Sequence, residues 1–243
     1  MQAESTAIII GASGGLGRAL CEQWRQDDGI DKVIAISKQP EDNRSTLPAI
    51  QTIKCDYSEA SIARACEKIK SLAGPITRVC ICNGLLHNDH ISPEKRIDDI
   101  GLEALQEVFN VNSFIPILWL KGLLPLIKSN DDCIVTVFSA RVGSISDNRT
   151  GGWYSYRASK AALNMLLKTA AIEFARRAKN VKLIAFQPGT TDTALSKPFQ
   201  ASVKPENLFT AEFVAQRLVD IMNRQKVDGE LSFIDWENKK IDW

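Results

Sequence analysis

Seven short apolar runs recur along the chain, most of them separated by stretches long enough for a helix and its turns. They are TAIII (6–10), KVIAIS (32–37), AIQTIKCD (49–56), TRVCIC (77–82), DCIVTVFS (132–139), VKLIAFQ (181–187) and GELSFID (229–235). Strands joined by helix-length connections do not fold back as tight hairpins. They return in the same direction and build a parallel sheet covered by helices on both faces. The almost unbroken apolar character of the runs fits strands buried on both sides. Helical spacing of apolar residues predicts a helix over 15–26, through Leu16, Ala19, Leu20 and Trp24, and others over 100–128 and 210–224. Ser58 predicts the N-cap of a further helix reaching Leu72, with Glu59 in its first turn. Residues 1–243 carry no repeat, low-complexity tract or linker. The expected fold is one doubly wound α/β domain with a mainly parallel sheet of about seven strands.

Thirty basic residues stand against 29 acidic ones, for a formal charge of +1, so no nucleic-acid partner is expected. The purely apolar runs fall short of the ~18 residues a membrane span needs, and no membrane partner is expected. The N-terminal MQAESTAIII is acidic where a secretory signal would be basic. Cys21, Cys55, Cys66, Cys80, Cys82 and Cys133 are scattered through apolar segments, which suits reduced thiols in a cytoplasmic protein. The stretch CICNGLLHNDH collects Cys80, Cys82, His87 and His90, all zinc-ligand types. Cys80 and Cys82 would share one buried strand face, and the spacing matches no common zinc pattern, so no metal is expected.

The first run leads directly into GASGGLGRAL, where Gly11, Gly15 and Gly17 stand at a G-x3-G-x-G spacing. Glycines let the backbone turn tightly and let a phosphate approach, and the following helix presents free N–H groups and its positive dipole end. A close helix–strand contact would select glycine as well. Behind the first strand of an alternating chain, the loop predicts a nucleotide cofactor. The second strand ends in ISKQ, with Ser37 and Lys38 and no carboxylate before Glu41. A lysine and a small hydroxyl suit a 2′-phosphate, so NADP(H) is expected ahead of NAD(H).

In GGWYSYRASKAALN, Tyr156 and Lys160 lie four apart and share a helix face, whereas Tyr154 has Ala158 at that offset. An adjacent ammonium favours the phenolate, lowers the tyrosine pKa and yields a general acid/base; Tyr154 is left to pack or to shape a pocket wall. Pro116 lacks an N–H, so the Asn112 carbonyl loses its i+4 partner and either holds a water or marks a kink. The segment 188–209 is long and rich in turn residues, as a mobile lid would be. Leu85, Val142, Trp153, Leu195 and Phe199 are candidates for an apolar site or for ordinary packing. No cationic cluster awaits an anionic substrate, which leaves a small, neutral, partly hydrophobic aldehyde or ketone.

Over nearly its whole length the chain resembles the short-chain dehydrogenase/reductases, and the stretch RVGSISDNRTGGWYSYR resembles a branch holding sniffer-type carbonyl reductases and bacterial C-factor signalling proteins. The resemblance implies a Rossmann-like NAD(P)-binding domain, with Gly11, Ser13, Gly15, Leu16 and Gly17 in the cofactor loop and Ser37 and Lys38 at the ribose. Many NADP-dependent members carry a basic residue inside that loop, where this chain has Gly14. It implies that Asp56 contacts the adenine, and that Pro188, Gly189, Thr190 and Thr193 close over the nicotinamide. CNG (82–84) stands where the family has Asn-Asn-Ala-Gly, so either Cys82 or Asn83 takes the asparagine's place beside Gly84. Ser139 would hydrogen-bond the substrate carbonyl, with Ser144 as the alternative; Phe138 replaces the first serine of a frequent pair. Tyr156 would be the acid/base, Lys160 would also grip the ribose, and Asn112 would anchor a water that relays protons. The implied reaction moves a hydride between NADPH and a carbonyl or alcohol. Relatives assemble as dimers or tetramers through two long helices, here around 115–127 and 160–174. A catalytically quiet NAD(P)-binding signalling protein and a methyltransferase on a similar sheet are the other readings.

Overall fold

The isoleucine-rich run at the start of the chain becomes the middle of the sheet. In the computed structural model, which describes residues 5–39 and 50–243, strand β1 (Thr6–Ile10) is buried at all five positions. Met1–Glu4, Glu41 and Ala49 lie outside the described residues. The chain continues through α1 (Gly15–Arg25), β2 (Lys32–Ser37), β3 (Ile50–Lys54), α2 (Glu59–Leu72) and β4 (Ile76–Ile81). It then forms α3 (Leu102–Phe109), a π turn (Asn110–Phe114), α4 (Ile115–Ile127), β5 (Cys133–Phe138), α5 (Tyr154–Arg177) and β6 (Val181–Gln187). Two short strands, β7 (Thr190–Thr191) and β8 (Leu208–Phe209), precede α6 (Ala211–Arg224) and β9 (Leu231–Asp235).

Seven strands form one parallel sheet in the order β3-β2-β1-β4-β5-β6-β9. The strand period of two sorts its residues between two cores. Ile8 and Ile10 face the layer of α2, α4 and α5, while Ala7 and Ile9 face the layer of α1 and α6. Trp119 fills the first core and Trp24 the second, both fully buried. This is a doubly wound, Rossmann-like sandwich. Chain progression reverses between β1 and β4, and the crevice beyond the carboxyl ends of those strands is where such sheets bind ligands.

The expected strand and helix positions hold within a residue or two, and Ser58 caps α2 by accepting from the Ser61 N–H at 3.2 Å. The helix expected over 100–128 runs from Leu102 to Ile127 but is interrupted by the π turn. Pro116 cannot complete the regular ladder, so the chain widens by one residue, and Ile115 N–H donates to the Asn110 carbonyl, five residues back. By length and composition alone, Leu102–Ile127 is apolar enough to cross a membrane, although its pure apolar runs are shorter. In this fold Trp119, Leu120, Leu123 and Ile127 are buried in the sheet's core.

All six cysteines carry free thiols and five are buried. Cys80 and Cys82 both pack on the α1/α6 side, while the His87 ring nitrogen sits 3.2 Å from the Ala194 carbonyl and His90 is exposed. Among the described residues, no three His, Cys, Asp or Glu side chains gather as a metal would require.

The glycine loop has a steric origin within the chain itself. A Cβ on Gly17 would lie 2.3 Å from the Gly11 carbonyl oxygen and 2.8 Å from the Ala12 Cα, both backbone atoms that cannot swing away. The same atom on Gly14 would meet the Gly11 oxygen at 3.4 Å, an ordinary contact. Gly17→Ala is therefore expected to destabilise the protein by ~1–3 kcal/mol in urea denaturation. Gly14→Ala, the control, is expected to stay close to the parent.

Candidate active site

The crevice between β1 and β4 holds two adjoining cavities. One, of about 340 Å³, is lined by Gly11, Gly14, Gly15, Leu16 and Gly17, with Cys82, Gly84, Leu85 and Thr193 opposite. The other, of about 320 Å³, brings Ser13, Lys38, Asn83 and Gly84 together with Tyr57 and Glu107. The Lys38 ammonium lies 5.8 Å from the centre of the Tyr57 ring. Tyr57 was not expected here. It sits at φ 70° directly after Asp56, and burial pushes its hydroxyl up to about 12.

Of the residues expected at the adenine and its ribose, Ser37 and Asp56 stand outside these linings. Ser37 is buried at the end of β2. Asp56 is exposed and accepts from the Ser58 N–H at 2.8 Å; its bonds to the Ser58 hydroxyl and backbone hold the carboxyl below its ordinary range. Between Cys82 and Asn83, only Asn83 brings a polar side chain to the cavity, and its buried Oδ1 has no hydrogen-bond partner. The Asn83 amide also lies within reach of the Tyr57 hydroxyl, so its oxygen is open to that hydroxyl or to a donor on a bound group. Together with the glycine cradle and Lys38, it fits a phosphate-bearing nucleotide.

A larger cleft of about 460 Å³ opens beside Leu16. Ser139 and Tyr156 line it together with Pro188, Gly189, Thr190 and Thr193. Val142, Trp153, Leu195 and Phe199 form its apolar wall as expected, but Leu86, packed on Tyr156, takes the place foreseen for Leu85. Trp153 meets Tyr156 edge-on at 6.1 Å and Phe199 at 5.1 Å. Arg141 and Gln187 also reach the cleft. Ser144 is buried elsewhere, where its oxygen accepts from the Asp147 N–H at 3.1 Å. Tyr154 neither lines the cleft nor packs in the core; 38% of its surface is exposed.

Behind Tyr156, Lys160 is buried and donates from Nζ to the Phe138 carbonyl at 2.8 Å, with Nζ 5.8 Å from the tyrosine ring centre. The lowered tyrosine pKa expected from this neighbour does not appear. Burial pushes Tyr156 up to about 12 and Lys160 down to about 7, because losing water penalises phenolate and ammonium alike. Asn112, fully buried, uses its side chain on the protein. Its Oδ1 accepts from Leu85 N–H at 2.8 Å, and its Nδ2 donates to the Leu85 carbonyl at 2.8 Å and to Ser159 Oγ at 3.0 Å. Asn112 thus ties the loop after β4 to α5 at Ser159.

The start of α5 depends on a residue sequence reasoning did not find. Gly151, Gly152 and Trp153 take three successive left-handed conformations, with φ of 68°, 66° and 52°. Trp153 N–H donates to the Glu94 carbonyl at 2.5 Å. The buried Glu94 carboxylate accepts from the Ser155 N–H at 3.1 Å and from the Ser155 hydroxyl. A glutamate sixty residues upstream thereby caps the helix that carries Tyr156, and nothing local in SPEKR announces it.

A family model described as short chain dehydrogenase matches residues 5–204. Benzil reductase of Bacillus subtilis is 25% identical over 241 residues, 92% of this chain and 96% of that one. The carbonyl reductase Sniffer of D. melanogaster superposes with a TM-score of 0.83 at 18% identity, covering 99% of this chain and 100% of that one. A carbonyl reductase from chicken fatty liver, solved with NADPH bound, gives 0.80 at 22% identity, covering 100% of both chains. These structural likenesses are likenesses of fold.

Glu94→Ala strands two buried donors and is expected to cost ~1–3 kcal/mol in urea denaturation, with Glu94→Gln closer to the parent. The pH dependence of stability reads Lys160. Its folded pKa of about 7 lies below the ordinary 10.5, so between those values the unfolded chain binds the extra proton and stability rises with pH. Tyr156, raised to about 12, opposes this above about pH 10, and the Cys66, Cys80, Cys82 and Cys133 thiols, pushed up by burial, oppose it from about pH 9. The urea midpoint of Lys160→Met is therefore expected to lose most of the parent's gain between pH 6.5 and 9.

Proposed function

The chain belongs to the short-chain dehydrogenase family, and from that premise we propose that it is an NADP(H)-dependent carbonyl reductase acting on small, neutral, hydrophobic ketones or aldehydes. The observation that carries this reading is the single cleft in which Ser139 and Tyr156 meet Gly189, Thr190 and Thr193, with Lys160 buried one turn behind the tyrosine. Gly11, Ser13, Gly15, Leu16, Gly17, Lys38, Asn83, Gly84 and the segment Pro188–Thr193 would hold the dinucleotide. When bound, the dinucleotide supplies or accepts the hydride.

The chain's own residues manage the proton. At neutral pH Tyr156, pushed up to about 12, holds its proton and is set to donate it to a carbonyl oxygen, as a reduction requires. Lys160, near 7, gains or loses a proton at little cost and resupplies the tyrosine. Ser139 completes the polar floor of an otherwise apolar cleft.

Substrate and cofactor preferences follow from charge. Arg141, the cation at the cleft, is engaged by Asp235 at 3.2 Å and Asp147 at 3.5 Å, which leaves little for an anionic substrate. Tyr156, Trp153 and Phe199 offer aromatic surface to a planar carbonyl compound, in keeping with the name of the benzil reductase relative. Lys38 beside the Ser13 cavity supports the 2′-phosphate of NADP, and the chicken relative was solved with NADPH. Mostly buried free thiols fit a cytoplasmic protein. Exposed Phe114, Met165 and Ile172 on the α4–α5 side support a homodimer or homotetramer.

NADPH oxidation against a panel of aromatic ketones and diketones tests the proposal. Tyr156→Phe is expected to lose ~10³-fold in kcat while NADPH binds as before. KM is expected to be lower for NADPH than for NADH, and Lys38→Ala is expected to narrow that gap. Tight NADPH binding with no turnover across the panel would point instead to a quiet regulatory protein.

A further inference from the structure

Tyr156 and Lys160 continue into a third buried polar residue. Asn164 lies one further turn along α5, so the three occupy one stripe at i, i+4 and i+8. Only 3% of Asn164 is exposed. A short amide side chain competes with the helix backbone, and its burial is costly without partners. Both of its partners belong to the turn that follows β5. Ser139 Oγ donates to Asn164 Oδ1 at 2.6 Å, and Asn164 Nδ2 faces the Gly143 carbonyl at 3.5 Å. The opposite amide orientation would set Oδ1 against that carbonyl, so the two neighbours together define which end accepts.

The turn itself is pressed onto the helix. Gly143 N–H donates to the Ala140 carbonyl at 2.9 Å, and a Cβ on Gly143 would lie 2.8 Å from Lys160 Cβ. Ser139 is held at its backbone by the Phe186 carbonyl, which its N–H meets at 2.9 Å. Its hydroxyl is free to rotate about the side-chain bond, and the contact that stops it is Asn164.

We propose that Asn164 is a positioning residue whose amide oxygen accepts a hydrogen bond from the Ser139 hydroxyl and so fixes the serine oxygen at the edge of the cleft. In the resting site the Ser139 hydroxyl is held on Asn164, from where a carbonyl oxygen entering the cleft beside Tyr156 can take over the same donor. The inference rests on the roles given above to Ser139 and Tyr156.

A double-mutant cycle on the full-length chain tests it, with kcat, KM for NADPH and thermal midpoint measured for each variant. Asn164→Ala is expected to lower kcat roughly 10-fold with KM for NADPH changed less than about twofold, and Ser139→Ala to lower kcat roughly 100-fold. Because Asn164 acts through Ser139, adding Asn164→Ala to Ser139→Ala is expected to cost less than about twofold more. A structural role would give the same loss in both backgrounds. Asn164→Leu keeps the volume and repeats the cycle if the alanine variant does not fold. Unchanged kcat in Asn164→Ala, or a full additional loss in the Ser139→Ala background, would overturn the inference and leave the function above standing. Unchanged kcat in Ser139→Ala would instead remove Ser139 from the reaction, and the inference with it.

Discussion

Burial of one parallel sheet on both faces is the constraint from which the rest follows. A strand such as β1, covered above and below, has no side exposed to water, so polar chemistry is confined to the strand ends. Order reverses between β1 and β4, and there the loops leave in opposite directions and a crevice opens. The glycine loop, the Cys82–Gly84 turn and the Lys38–Tyr57 corner all meet in that crevice because they follow neighbouring strands. The Ser139 turn and the Pro188–Thr193 segment follow β5 and β6 and form its continuation.

Across this crevice lies α5, whose buried polar stripe would be expensive in any other setting. Apart from Tyr156, whose ring lines the cleft, its polar residues have fixed partners. Lys160 is held by the Phe138 carbonyl, and Ser159 donates to the Tyr156 carbonyl at 2.8 Å. Ser113 donates to the Ser159 carbonyl at 2.7 Å, from the π turn that Pro116 imposes. The irregular turn, the loop after β4 and α5 are thus one hydrogen-bonded unit, with Asn112 at its centre. Such a network is rigid because every member would be left buried and unpaired by a shift.

Strand and helix positions were legible because they depend on periodicity and on local caps such as Ser58. Tyr156 and Lys160 were picked out by their spacing and Ser139 by the family resemblance, and the structure gathers Ser139 and Tyr156 in one cleft. What escaped depends on contacts distant in sequence or on solvent exclusion. Glu94 reaches Ser155 across 61 residues. Leu86, not Leu85, faces the cleft because Asn112 binds both backbone groups of Leu85 and fixes its orientation. Tyr154 and Tyr156, two positions apart on a helix, point in different directions, and only the fold decides which direction is water. The direction of the Tyr156 pKa was misjudged for a related reason: a neighbouring ammonium counts for less when its own charge is suppressed by burial.

Trp153 carries two duties that are separable in principle and fused here. Its left-handed backbone, costly for a bulky side chain, begins the helix, and its indole stands in the cleft wall against Tyr156 and Phe199. A smaller residue at this position, glycine above all, relieves the backbone and enlarges the cavity in the same step. Release of backbone strain, about 1–2 kcal/mol, offsets only part of the packing lost with the indole, so the cavity widens here at a cost in stability. The fold thus couples its stability to the size of the cleft less than one turn from Tyr156.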